Sequence, residues 1–177
     1  MDMSDTRKKI LDEIIEIELK MFLATPNQGG TASCQERPET FRIMRKMAHH
    51  AHSDKFLESY LDDLHKAVES GRNFMLEKYA RMDDLIPPLQ DTPLLDEIAD
   101  AETAFLENAA ASHPDMIKRN DSKIFRTYLR CELETLSPAS LAIYAEEIRE
   151  AIACHRNPVL ERHNWLARTL GKPPLQE

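Results

Sequence analysis

The sequence is poor in the residues that β-sheets and tight turns use. Valine occurs only at Val68 and Val159 and glycine occurs four times, whereas leucine occurs 20 times and alanine 18 times. Strands favour β-branched and aromatic residues, while alanine and leucine enter a helix at little cost in free energy. The composition therefore predicts an all-α protein, a bundle of eight or nine helices without a sheet.

The sequence also lacks the features of disulfide scaffolds and membrane proteins. Its three cysteines, Cys34, Cys131 and Cys154, show no paired spacing, so we expect reduced thiols. No apolar run reaches the ~18 residues that a membrane span needs. The chain starts in an amphipathic segment with acidic residues, which is not the pattern of a signal peptide. These features predict a cytoplasmic protein with no membrane partner.

Positive charge is in deficit. The chain has 31 acidic and 23 basic residues, which gives a net charge of -8. Binding to nucleic acid needs a basic surface, so we predict no nucleic-acid partner.

The length of 177 residues is that of one domain, and residues 1–177 are expected to form a single helical domain. No internal repeat or heptad array is expected.

Capping residues and prolines mark the predicted helix boundaries. The prolines at 93, 138 and 158 each follow a Thr, Ser or Asn, the pattern of an N-cap with proline in the first turn. Residues 24–37 form a long loop, which favours a functional role, and residues 171–177 form a C-terminal tail. The predicted helices are 5–23, 38–52, 54–70, 72–86, 93–110, 114–119, 122–136, 138–155 and 158–170.

Several charged residues occupy positions where the helical period places apolar side chains. Glu18 lies among Leu11, Ile14 and Phe22, and Lys78, Glu102 and Glu132 lie in similar stripes. A buried charge is costly unless it has a partner, a metal or a neutral form. The pattern predicts a polar cluster or cavity between helices. The alternatives are side chains that reach water from a stripe edge and buried ion pairs that are purely structural.

The signals for a metal or a nucleophile are weaker. Di-iron carboxylate bundles need two Glu-x-x-His motifs, and the chain offers one analogue, Asp62 to His65. Histidines 49, 50 and 52 crowd one helix end, where neutral surface side chains are expected. Cys34 precedes a helix start, but no motif supplies a base for it. Arg–His spacings typical of helical ribonucleases, at 45–50 and 156–163, fit poorly with the acidic charge. We predict no metal, cofactor or catalytic residue.

Three strings resemble a family of bacterial proteins classed as a domain of unknown function. They are NQGGTASCQ at 27–35, GRNFMLEKYARM at 71–82 and TYLRCELETLS at 127–137. The resemblance covers roughly residues 18–157 and implies no named activity. Relatives that join such a domain to a nucleotidyltransferase-like domain imply an accessory role. The strings contain several of the residues that fit neither an ordinary core nor an ordinary surface.

The leading hypothesis is a polar pocket between helices that binds a small anionic or zwitterionic ligand. Arginine and lysine would supply charge, amide and hydroxyl groups would give directional hydrogen bonds, and glutamates would orient the cations. A helical module for a protein partner or a homo-oligomer is the alternative, and a metal-dependent enzyme using carboxylate and histidine ligands comes third. The predicted ligand-binding residues are Glu18, Cys34, Arg45, Arg72, Asn73, Lys78, Tyr128 and Glu132.

Overall fold

A computed structural model describes residues 5–26, 35–118 and 121–175, and this part of the chain contains helices and no strand. The prediction of an all-α bundle is confirmed. The helices are α1 Asp5–Leu23, α2 Pro38–His50, α3 Asp54–Glu69, α4 Phe74–Met82, α5 Pro93–Ser112, α6 Ser122–Leu133, α7 Pro138–Ala153 and α8 Pro158–Thr169. None of the described helices is long and apolar enough to cross a membrane.

Two predicted helices differ from the structure. The short helix at 114–119 is wrong: α5 ends at Ser112, and the chain continues through a turn in which Met116 N and Ile117 N both donate to His113 O. The segment predicted at 72–86 is helical only from Phe74 to Met82. A residue with positive φ, Asp84, turns the chain out of α4.

The described helices form two groups that are packed in the same way. Helix α1 lies against α2, α3 and α4, and α5 lies against α6, α7 and α8. Across the groups, α3 packs on α7, α2 packs on α8, and α4 packs on α6. The same set of contacts results when each helix is replaced by its counterpart in the other group. This is the pattern of two groups related by a two-fold rotation axis that passes between α3 and α7. We call α1–α4 the first repeat and α5–α8 the second repeat.

Side-chain contacts recur between the repeats at a constant separation of 84 residues. Tyr60 donates to Oε1 of Glu18 over 2.8 Å, and Tyr144 donates to Oε1 of Glu102 over the same distance. Other equivalent pairs are Arg72–Glu77 and Arg156–Glu161, Asn73–Met21 and Asn157–Phe105, and His65–Glu13 and Arg149–Glu97. The expectation that the chain has no internal repeat is therefore wrong.

The contacts at the junction of α3 and α7 are also reciprocal. Asp63 on α3 accepts a hydrogen bond from the backbone N–H of Ser137, the N-cap of α7. Its counterpart Glu147 on α7 accepts from the backbone N–H of Ser53, the N-cap of α3. Each repeat thus supplies the carboxylate that binds the helix start of the other. The hydrophobic core is continuous across this junction, because it includes buried residues of both repeats.

Candidate functional site

The first charged cluster is built around the fully buried carboxylate of Glu18 on α1. Arg45 on α2 donates to both of its oxygens, from Nε over 2.9 Å and from Nη2 over 2.6 Å. Tyr60 and His49 Nε2 lie 2.8 and 3.0 Å from Oε1. Burial alone would raise the pKa of Glu18, but Arg45 and His49 outweigh it and hold this pKa well below its ordinary value. Because an ionised carboxylate only accepts hydrogen bonds, the contact with His49 requires a proton on Nε2.

Arg45 connects Glu18 to a second carboxylate on α6, that of Glu132. Arg45 Nη2 donates to Glu132 Oε1 over 3.1 Å, and Lys78 Nζ donates to Glu132 Oε2 over 3.0 Å. Lys78 Nζ also donates to the hydroxyl oxygen of Tyr128 over 2.6 Å. Burial opposes the charge on Glu132, yet Arg45 and Lys78 lower its pKa to about 2. Burial likewise opposes the charge on Lys78, whose pKa Glu132 raises above its ordinary value. The four charged groups, two carboxylates and two cations, balance one another.

The second charged cluster occupies the equivalent place in the second repeat. Arg162 on α8 donates to Glu102 twice, from Nη1 over 2.8 Å and from Nη2 over 2.7 Å. Tyr144 donates to the same carboxylate. Burial would raise the pKa of Glu102, but Arg162 outweighs it and lowers this pKa. Tyr60 and Tyr144 are equivalent, but the cations differ: Glu18 pairs with Arg45 of the second helix, whereas Glu102 pairs with Arg162 of the fourth, the position equivalent to Lys78.

A cavity of about 480 Å³ lies between the two clusters and is lined by both repeats. Its volume falls within the range of about 300–1,000 Å³ that is usual for small-molecule sites. All four tyrosines of the chain and four of its six phenylalanines line it. The charged groups on its wall are Arg45, Lys78, Glu102, Glu132 and Arg162. The cavity therefore combines mainly apolar and aromatic walls with a few charged groups.

The structure brings several of the predicted site residues together. Arg45, Lys78, Tyr128 and Glu132 line the cavity, and Glu18 lies directly behind Arg45. The burial predicted from helical phase is confirmed for Glu18, Lys78 and Glu102, while the Glu132 side chain keeps 24% of its surface exposed. Cys34 and the glycine pair of the 24–37 loop lie outside the described residues.

Arg72 and Asn73 lie away from the cavity and have local roles. Arg72 forms a two-point ion pair with Glu77 and lies over the ring of Phe74. Asn73 is the N-cap of α4, where its Oδ1 accepts from Leu76 N, and its Nδ2 donates to Met21 O. These contacts fasten the start of α4 to the end of α1.

We expect Asn73→Ala to lower the free energy of unfolding without changing ligand binding. Loss of an asparagine N-cap costs about 1 kcal/mol, and the additional hydrogen bond to Met21 raises the expected loss to about 1–2 kcal/mol. Urea unfolding measures this loss. Asn157→Ala, at the equivalent position of α8, is the matched comparison and should show a similar loss. A variant of unchanged stability that binds ligand more weakly would contradict the structural role.

The expectation of surface histidines is wrong for two of the three. His49 and His52 are buried, because the end of α2 packs against α1 and α8 and the two rings lie beside Tyr60 and Phe56 of α3. His52 Nδ1 lies 2.7 Å from Glu147, and its ring stacks on Phe56. His50 is half-buried beside Trp165. Within the described ranges, no group of three or more His, Cys, Asp or Glu side chains is arranged to hold a metal ion.

Sequence reasoning missed Tyr60, Tyr144 and Arg162. A tyrosine at a stripe edge resembles an ordinary core residue, and the pattern within its own helix predicts no inward role for Arg162. The repeat was the signal that could have found them. Comparison of residues 72–78 with 156–162 aligns RNFMLEK with RNPVLER, which places Arg162 opposite the inward Lys78.

Comparison with known proteins identifies a family and no characterised relative. A family model described as a protein of unknown function, DUF4125, matches residues 8–177. No curated protein and no solved structure matches the chain.

Proposed function

The chain belongs to the DUF4125 family of proteins of unknown function, and we propose that it binds a small molecule in the cavity between its two repeats. The observation that carries the proposal is the exposure of charged groups inside an apolar cavity. The Glu132 side chain is 24% exposed and that of Arg45 11%, although both lie among buried residues. Charged groups that remain accessible inside a mainly apolar cavity can form hydrogen bonds with a ligand, which supports a small-molecule site.

The hydrogen-bonding capacity that remains in the first cluster fits a polar ligand. Arg45 uses Nε and Nη2 in its hydrogen bonds to described residues, so the N–H groups of Nη1 remain for a ligand acceptor. Tyr128 accepts from Lys78 through its oxygen and keeps its own proton to donate. Glu132 is the accessible acceptor for a ligand N–H or O–H group.

The charge balance favours a zwitterionic ligand over an anionic one. Because the carboxylates of Glu18 and Glu132 already neutralise Arg45 and Lys78, an anion would add an uncompensated charge to a poorly solvated place. A zwitterion adds no net charge and presents both a donor and an acceptor. The apolar walls suit a ligand whose remaining part is apolar or aromatic.

The cellular setting is part of the proposal. Cys131 and Cys154 are free thiols, which supports the reducing conditions of a bacterial cytoplasm. A protein partner or a homo-oligomer stays a prediction from the sequence.

A cavity-filling variant tests the proposed function. Ala48 lines the cavity and is partly exposed, so Ala48→Trp is expected to fill space there, whereas Ala139→Trp adds the same side chain at an exposed site in the first turn of α7. The probe is the neutral fluorescent dye prodan. We expect one site on the native protein and binding weakened about tenfold or more by Ala48→Trp, since the indole would displace the dye. Ala139→Trp should bind within about twofold of the unchanged protein.

Two results would overturn the proposal. One is that the native protein shows no saturable dye site, and the other is that Ala48→Trp and Ala139→Trp bind the dye equally. Thermal unfolding of both variants checks that any lost binding does not come from lost structure.

A further inference from the structure

The cavity is lined by equivalent positions of the two repeats, so its occupant touches both. Eleven pairs of lining residues are related by the separation of 84 residues. They include Phe41 and Phe125, Tyr60 and Tyr144, Lys78 and Arg162, Tyr79 and His163, and Ala48 and Glu132. An occupant of the cavity therefore lies next to both charged clusters. We call the first charged cluster, which contains Glu132, the Glu132 end of the cavity, and the second, which contains Arg162, the Arg162 end.

One aromatic ring, that of Phe56, lies next to the tyrosine of each end. The ring of Phe56 is 5.9 Å from that of Tyr60, which binds Glu18 at the Glu132 end. The same ring is 5.3 Å from that of Tyr144, which binds Glu102 at the Arg162 end. A ligand that reaches both ends therefore needs an apolar middle part that packs along these rings.

The ends differ because two charged residues have apolar counterparts. Glu132 corresponds to Ala48, and Arg45 corresponds to Leu129. The Glu132 end thus presents a carboxylate that is 24% exposed. At the Arg162 end the carboxylate of Glu102 is 1% exposed and already accepts from Arg162 and Tyr144. Only the Glu132 end offers an accessible acceptor to a cationic group.

The Arg162 end offers donors instead. The guanidinium gives two N–H groups to Glu102, while its Nε is buried and has no hydrogen-bond partner among the described residues. The Arg162 side chain lines the cavity and is 14% exposed. Each Nη nitrogen carries a second N–H group beyond the one that it gives to Glu102, and these groups remain for an acceptor in the cavity. A carboxylate is the acceptor that a guanidinium binds best.

From this asymmetry we infer that the ligand is an ω-amino carboxylate or a close analogue. Its ammonium group lies at the Glu132 end, its carboxylate lies at the Arg162 end, and an apolar stretch separates them. In the reverse orientation the ligand carboxylate would face the exposed carboxylate of Glu132, and its ammonium group would face the guanidinium of Arg162. The inference rests on the proposed function, since it names the class of molecule that the same cavity binds.

Constitutional isomers test the separation of the two charges. 8-Aminooctanoate and 2-aminooctanoate have the same composition, the same net charge and similar apolar content, and differ in where the ammonium group lies. We expect isothermal titration calorimetry to show binding of the ω-isomer about tenfold or more tighter, the size expected for one additional charge-assisted hydrogen bond. Shorter members of the ω-series should bind progressively more weakly, because they cannot reach both ends.

Two variants test which group each end binds. Glu132→Gln removes the negative charge that pairs with the ammonium group and should weaken the ω-isomer about tenfold or more. Arg162→Lys introduces the residue that the first repeat has at this position, keeps a cation beside Glu102, and removes the guanidinium N–H groups. It should also weaken the ω-isomer and leave octylamine, which has no carboxylate, within about twofold. Thermal unfolding shows whether each variant remains folded.

The outcomes separate this inference from the proposed function. Equal binding of the two isomers, or tighter binding of the α-isomer, overturns the two-ended ligand and leaves small-molecule binding standing. If neither isomer binds while prodan binds in a manner that depends on Ala48, the ligand class is wrong and the cavity function stands. If prodan shows no cavity-dependent site, both fail.

Discussion

Replacing Glu18 by glutamine is expected to lower the free energy of unfolding by about 3–5 kcal/mol. The substitution keeps the size of the side chain and removes its charge, so Arg45 and Lys78 would share the single carboxylate of Glu132. A buried cation without its counter-charge is far less favourable than one that is paired. For a domain of this size the loss corresponds to a decrease in melting temperature of roughly 6–20 °C. Urea or thermal unfolding measures it directly.

The repeat supplies a matched comparison for this prediction. Glu102 is the counterpart of Glu18 and is equally enclosed, so Glu102→Gln should produce a loss of the same order by leaving Arg162 unpaired. Glu13 lies on the exposed side of α1 and pairs with His65, so Glu13→Gln should change stability by less than about 0.5 kcal/mol. Losses of similar size in all three variants would contradict the prediction that the buried ion pairs of Glu18 and Glu102 stabilise the fold more than the exposed pair of Glu13.

Helical periodicity found three of the buried charged residues and missed Asp63 and Glu134. Glu18, Lys78 and Glu102 stand in apolar stripes, and a stripe that faces the core buries every side chain within it, whatever its chemistry. The period fixes a residue's direction around one helix axis. It does not fix which helices meet, so the sequence could not show that Arg45 lies between Glu18 and Glu132, which are far apart in the chain.

Local roles were harder to separate from binding roles. Asn73 precedes a helix and has the side chain of an N-cap, and the structure places it there. The burial of His49 and His52 was missed because it depends on α2 packing against other helices and not on the pattern within α2.

The internal repeat was present in the sequence but is sparse. The string LDEI occurs at 11–14 and again at 95–98, and the pairs Phe-Arg, Arg-Asn and Leu-Glu recur at the same separation. Other equivalent core positions, such as Met21 and Phe105 or Met75 and Val159, share only an apolar side chain, since two related packing interfaces do not require identical residues. The identities become informative once the structure shows that they make the same contacts.

Acid is expected to destabilise the protein through the same buried carboxylates. The pKa of Glu132 is about 2 in the folded protein, below its ordinary value of 4.5, and the pKa values of Glu18 and Glu102 are also lowered. A group whose pKa is lower in the folded state stabilises that state above its unfolded pKa, and this stabilisation is lost as the pH falls toward the folded pKa. The free energy of unfolding should therefore decrease between about pH 5 and pH 2. Glu132 alone accounts for about 3 kcal/mol of this decrease.

The variant Glu132→Gln isolates that contribution, because glutamine does not titrate. At neutral pH the variant should be less stable than the unchanged protein, since Lys78 loses its carboxylate. As the pH falls, the unchanged protein loses the same charge by protonation, so the difference between the two should shrink by about 3 kcal/mol across this range. Urea unfolding at a series of pH values measures both curves. Curves that stay parallel would mean that Glu132 has the same pKa in the folded and unfolded states, and that the ion pairs of Arg45 and Lys78 do not hold its charge.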